Sequence, residues 1–172
     1  MHLLPELAAG RLDAVLCRGP RELPADWHFE LMLRDAPVVV AAPGHPLAGR
    51  HRLPLEALAP LAWILPPQGM GVRSYHEQLW SGHPRPPQVY PLATTALPVV
   101  LEVMRSTGAV SLIPRSVAEP LLGWGAATLL DVALPELPNA PLEGLGLLTT
   151  GTQDAPPLQA LRALLVQAGR QR

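Results

Sequence analysis

Lysine is absent from this chain: all 13 basic side chains are arginine. Schiff-base chemistry, a lysine general base and a Walker-type phosphate loop all need that ammonium group, and all three are excluded. The only cysteine, Cys17, rules out an internal disulfide and fits a reducing compartment. Aromatic residues make up 4% of the sequence, with one phenylalanine, so no aromatic stacking platform is evident. There is no apolar run of about 18 residues, nor the basic-then-apolar order of a secretion signal. A cytoplasmic protein without a membrane is expected. The net charge of −1 gives no broad attraction to nucleic acid or anionic lipid.

Chemistry-bearing patterns are missing as well. No G-x-S-x-G elbow occurs, and the serines have no nearby histidine–carboxylate pattern. His2, His28, His45, His51, His76 and His83 fall at no metal-ligand spacing. No catalytic residue, metal or cofactor is therefore expected. Cys17 has two readings, a thiol made reactive by neighbouring Arg18 or a buried structural cysteine.

What is present is an apolar chain, 48% hydrophobic and 16% charged over 172 residues, enough for one ordinary domain or two small lobes. Extended and helical patterns alternate, which predicts an α/β class with a largely parallel sheet. Strands are expected at Ala14–Cys17, Trp27–Leu33, Val38–Ala42, Trp63–Leu65, Gln88–Leu92, Val110–Ile113, Thr128–Leu134 and Leu145–Thr149. Val72, Tyr75, His76, Leu79 and Trp80 recur at helical spacing, as do Leu97, Val100, Leu101 and Met104. Thr94 or Thr95 is placed to cap the second of these helices, Gly108 to end it, and Ser116 to cap the next. Two proline-rich passages, Pro66–Gly71 and Pro135–Gly144, read as crossovers. They divide the chain into a first lobe of 1–66 plus 143–172 and an inserted lobe of 67–142.

Gly10-Arg11-Leu12-Asp13-Ala14-Val15-Leu16 followed by Val38-Val39-Val40-Ala41-Ala42-Pro43-Gly44-His45-Pro46-Leu47-Ala48 resembles the effector-binding domain of LysR-type transcriptional regulators. Trp63-Ile64-Leu65-Pro66-Pro67 and Gly108-Ala109-Val110-Ser111-Leu112-Ile113-Pro114-Arg115-Ser116-Val117-Ala118 follow in the family's order, so the resemblance covers nearly the whole chain. It implies two Rossmann-like lobes of the type 2 periplasmic-binding-protein kind, with an effector held between them. It also implies a homodimer or higher oligomer, and DNA contact only through a winged helix-turn-helix that this chain does not contain. Against the family's order, Met1 falls inside the second helix of lobe one, leaving the first lobe incomplete at its N-terminus.

The leading site candidate is the segment Gln68, Gly69, Met70, Gly71, Arg73 and Ser74. Two glycines admit a ligand close to the backbone, and a helix N-terminus behind them suits a small carboxylate. Arg73 adds a bidentate donor and Ser74 a hydroxyl. The alternative is that the glycines serve a hinge and Arg73 is solvated. Thr94 and Thr95 form a second candidate, with helix capping as their simpler role. Thr149, Thr150, Gly151 and Thr152 read as a solvated loop. The function that follows is sensing of a small-molecule effector. A periplasmic-type solute-binding protein and an enzyme on a bilobed α/β scaffold are the competing readings; no catalytic constellation supports the latter.

Overall fold

The computed structural model describes residues 3–20, 22–138, 142–151 and 156–170, the side chains of 168–170 excepted. In chain order come α1 (Leu3–Ala8), β1 (Ala14–Arg18) and β2 (Trp27–Leu33). There follow β3 (Pro37–Ala41), a 3-10 turn (Leu55–Leu58), β4 (Trp63–Leu65), α2 (Gly71–Leu79), β5 (Val89–Ala93) and α3 (Leu97–Thr107). Then come β6 (Val110–Pro114), α4 (Arg115–Gly123), β7 (Thr128–Leu129), β8 (Leu145–Thr150) and α5 (Pro156–Arg170). Two compact units result: Met1–Asp35 with Glu143–Arg172, and Ala36–Leu142.

In the first unit β8 is the central strand of a three-stranded sheet, antiparallel to β1 and β2. Val15, Leu148 and Phe29 line up across one face, where Leu7 of α1 packs on them. Leu147 and Glu30 face the other way, toward α5: Arg162 Nε lies 3.3 Å from Glu30 Oε2. Gly146 is required here, because a Cβ would run into the Glu30 carbonyl oxygen and the Phe29 ring. Cys17 packs against the Leu7–Val15–Leu148 cluster, and burial pushes its thiol above the usual range. Arg18 beside it is committed to Asp35 and to the Glu143 carbonyl rather than to the thiol.

The second unit carries a five-stranded sheet in the order β5-β4-β6-β3-β7. Strands β5, β4 and β6 are parallel, whereas β3 is antiparallel to β6 and β7. The largely parallel sheet expected from the sequence is therefore confined to this three-strand block. Val38–Ala41 is an apolar run because both faces of the sheet are covered, although β3 runs antiparallel to both of its neighbours. Alternation sorts the core. Val39, Ala41, Trp63, Leu65, Val110 and Leu112 pack with Val72, Tyr75 and Trp80, while Val38, Val40, Ile64 and Ile113 pack with Val100 and Met104 of α3 and Ala118 and Leu121 of α4.

The boundary expected at 66/67 falls inside this unit, and the division lies at 35/36. The reason is that β3 pairs with β6 and β7, and β4 with β5 and β6, so both belong to the same sheet as the segments after them. The proline-rich turn after Leu65 is a strand-to-helix connection within one unit. Among the described residues no helix is long and apolar enough to cross a membrane.

Candidate functional site

Because β5, β4 and β6 are parallel and each feeds a helix, α3, α2 and α4 all begin at one edge of the sheet, the carboxyl edge of those strands. In open α/β sheets that edge is where ligands bind. The N-cap positions are Met70 for α2, Ala96 for α3 and Pro114 for α4, and none contributes a side-chain hydrogen bond to its helix. No acidic residue stands in the first turn of any of the three. Natural helices usually offset the positive end of the helix dipole with a cap or a carboxylate. Three such ends, with neither a side-chain cap nor a first-turn carboxylate, lie along a single edge.

The loop before α2 is shaped by Gly69, whose φ of +84° is a left-handed conformation. Met70 takes an extended backbone, and its carbonyl accepts from the amides of Arg73 at 2.9 Å and Ser74 at 3.1 Å. Gln68, Gly69 and Met70 are exposed, Gly71, Arg73 and Ser74 half-buried. Beside this loop the Thr94 amide donates to the Leu65 carbonyl at 3.3 Å, tying the end of β5 to that of β4. Thr94 Oγ1 accepts from the Ala96 amide at 3.0 Å, so the hydroxyl shapes the turn into α3 without being its N-cap. Thr95 is exposed next to it. Ser116 likewise lies inside α4, and Pro114 takes the capping position.

Arg73 does not point a free fork at the edge. Its Nε donates to Glu77 Oε1 at 2.7 Å, and Gln68 Nε2 donates to the same oxygen at 2.8 Å. These two bonds, Arg73 first, hold the Glu77 carboxyl below its ordinary range. The structure therefore brings Gln68 and Arg73 together through Glu77. Thr149 is another correction: it is buried in β8, not solvated, and its hydroxyl donates to the His28 carbonyl at 3.4 Å. Thr152 lies outside the described residues.

The start of α4, read from the sequence only as a helix capped by Ser116, also lies at this edge, where Arg115 donates its amide to the Ala36 carbonyl at 2.8 Å. The signal was legible: a buried strand ended by Pro114 and followed at once by a helix. Beneath α2, His76 is buried against Trp63 and Trp80, with ring centroids 4.8 Å and 6.5 Å away. Its Nε2 and the Trp80 Nε1 have no hydrogen-bond partner among the described residues.

The sequence profile of the family described as "LysR substrate binding domain" matches residues 1–170. The "Probable hydrogen peroxide-inducible genes activator" of Mycobacterium leprae is 40% identical over 73 residues, which are 42% of this chain and 23% of that protein. The HTH-type transcriptional regulator TtuA of Agrobacterium vitis is 32% identical over 75 residues, 44% of this chain and 25% of that protein. The matched stretches thus span about a quarter of the length of these relatives. The regulatory domain of CcmR from Synechocystis PCC6803, solved in complex with 2-PG, superposes with a TM-score of 0.71 at 20% identity over 98% of this chain and 78% of that one. The effector binding domain of QuiR in complex with shikimate gives a TM-score of 0.72 at 18% identity, over 99% and 78% of the two chains.

Proposed function

The chain belongs to the LysR substrate binding domain family, and on that premise we propose that it is the effector-sensing part of a LysR-type transcriptional regulator. The family match favours this over the periplasmic-type solute-binding protein. The family is a regulatory domain and not an enzyme. What the domain does with its ligand is a population shift, in which the bound effector favours one conformation of the regulator over another. DNA contact would come from a winged helix-turn-helix of the regulator, and the functional assembly would be a homodimer or larger oligomer in the cytoplasm.

The effector we propose is a small anion, carboxylate or phosphate, held at the carboxyl edge of β5-β4-β6. The observation that carries this is the convergence of three helix N-termini with neither side-chain cap nor first-turn carboxylate. Gly71, Ser74, Thr94 and Thr95 would supply donors, and Gly69 the close approach. Gln68 and Arg73 would act with Glu77 as a bonded group, not as separate clamps.

A thermal-shift series with 2-phosphoglycolate, shikimate, benzoate and glucose tests the reading. At a hundred times its dissociation constant a specific ligand adds about 2.7 kcal/mol, which for a chain of this size raises Tm by roughly 5–10 °C. At least one anion is expected to do so while glucose does not. Thr94→Val and Ser74→Ala should each weaken binding roughly ten- to a hundredfold, as lost hydrogen bonds to a charged group do. Stabilisation by glucose alone, or anion binding unaltered in both variants, would refute the site.

A further inference from the structure

Strands β1, β2, β5 and β7 form the edges of the two sheets, and three of them carry devices that discourage another strand from pairing. In the second unit β7 is two residues long, and β5 contains Pro91, which has no amide proton to donate. In the first unit β2 shifts register between Leu31 and Leu33 and bears the charge of Glu30. Strand β1, Ala14-Val15-Leu16-Cys17-Arg18, keeps an unbroken register with β8 along its whole length. It has no proline and no bulge, and the guanidinium of its last residue is engaged with Asp35.

The ladder fixes which way the backbone of β1 faces. The Gly19 amide donates to the Gly144 carbonyl at 3.0 Å, and these two residues lie opposite one another where the β1–β8 register is continued. Hydrogen-bonded pairs alternate along an antiparallel ladder, so Val15 and Cys17 also turn their polar groups to β8. Ala14, Leu16 and Arg18 turn theirs outward, where no strand among the described residues pairs with β1. The side chains there are apolar too. Leu16 is 49% exposed, although Leu147 opposite it is 2% exposed. Burial of that face stops one strand short.

We propose that the outer edge of β1 pairs with β1 of a second copy of this chain, antiparallel about a two-fold axis at Leu16. The strand is complementary to itself. A two-fold at Leu16 sets Ala14 against Arg18 of the second copy and Leu16 against its own counterpart, so every outward residue meets an outward residue. Each supplies an N–H and a C=O, which makes about six bonds between the copies. The exposed leucines lie side by side, whereas a parallel pairing in register would bring two arginines together. The same patch is used by both copies, so the contact closes as a dimer; pairing β1 with β2 of another copy would meet the β2 bulge and leave open ends. This rests on the reading of the protein as an oligomeric regulator and names the surface that joins the copies; no effector enters it.

Amide exchange of the full chain, followed by NMR from micromolar to millimolar protein, tests the pairing beside the mass given by light scattering. The Ala14, Leu16 and Arg18 amides are expected to slow roughly tenfold or more as the dimer forms. Those of Val15 and Cys17, bonded to β8, should stay within about twofold. Leu16→Lys sets two like charges directly opposite each other and should give a folded monomer, while Leu16→Val should still dimerise. If Leu16→Lys does not fold, the alternation along β1 in wild type decides the matter. A dimer that survives Leu16→Lys, with outward amides indifferent to concentration, overturns this interface and leaves the oligomer standing. Outward amides protected at every dilution would also overturn it, since another segment would then cover the edge. A monomer at every concentration overturns the pairing and the oligomer together.

Discussion

The imidazole of His76 sits beneath α2 with 3% of its surface exposed, its Nε2 unpartnered among the described residues and indole rings of Trp63 and Trp80 around it. Burial, and after it the charge of Arg73, pushes its pKa down to about 4 from the usual 6.5, with Glu77 acting weakly the other way. The unfolded chain therefore takes up this proton at a pH where the folded chain refuses it. Stability is fully present above about pH 6.5, is lost as pH falls toward 4, and loses no more from this group below that. The shift corresponds to a loss of roughly 3 kcal/mol in all, about two-thirds of it by pH 5. Carboxylates held below their ordinary range, such as Glu77, lose their contribution only at lower pH, so the interval from 6.5 to 5 isolates the histidine. Urea unfolding at pH 7 and pH 5 should show this loss in wild type and little of it in His76→Phe. An equal drop in both proteins would place the acid sensitivity elsewhere.

Elements record a different tension. Helices α2, α3 and α4 forgo the caps and first-turn acids that would steady them, while α3 closes in the ordinary way on Gly108, with a φ of +71°. Strand β8 shows how little slack the first unit has. Gly146→Ala pushes a methyl into the Glu30 carbonyl and the Phe29 ring, and should cost about 2–3 kcal/mol, as overpacking in a sheet core does; a urea midpoint unchanged from wild type would contradict it. The elements themselves were legible because periodicity and proline punctuation are local. Trp27–Leu33 and Trp63–Leu65 are strands with the expected limits, and the helical spacing from Val72 to Trp80 became α2. Strand direction was not legible, since it depends on which segments meet: β8 joins β1 and β2 across more than a hundred residues. At the candidate site, Gly69 and the α2 start could be read from the sequence. The tie of Gln68 and Arg73 to Glu77 could not, because side-chain pairing across a loop leaves no periodic trace.

For the whole molecule, the two units differ in how they are built from the chain. Ala36–Leu142 is continuous, and its sheet is covered on both faces by apolar layers centred on Trp63 and on Val40 with Met104. The other unit needs both ends of the chain to make three strands, with α1 and α5 on opposite faces. Within the continuous unit the widest pairing joins Val40 to Leu129, whereas the split unit must close Ala14 onto Thr149 around all of the other unit, at a higher loop entropy. Residues 36–142 produced alone are accordingly expected to fold, giving dispersed amide resonances and a cooperative urea transition. The complementary pieces 1–35 and 143–172, mixed without that segment, should stay unstructured. If Trp63, buried at 0% exposure, is the centre of an autonomous core, its fluorescence in the excised segment will be as blue-shifted as in the full chain. Solvent-like emission there would mean that the second unit depends on the first, and that binding at the β5-β4-β6 edge requires the whole chain to fold.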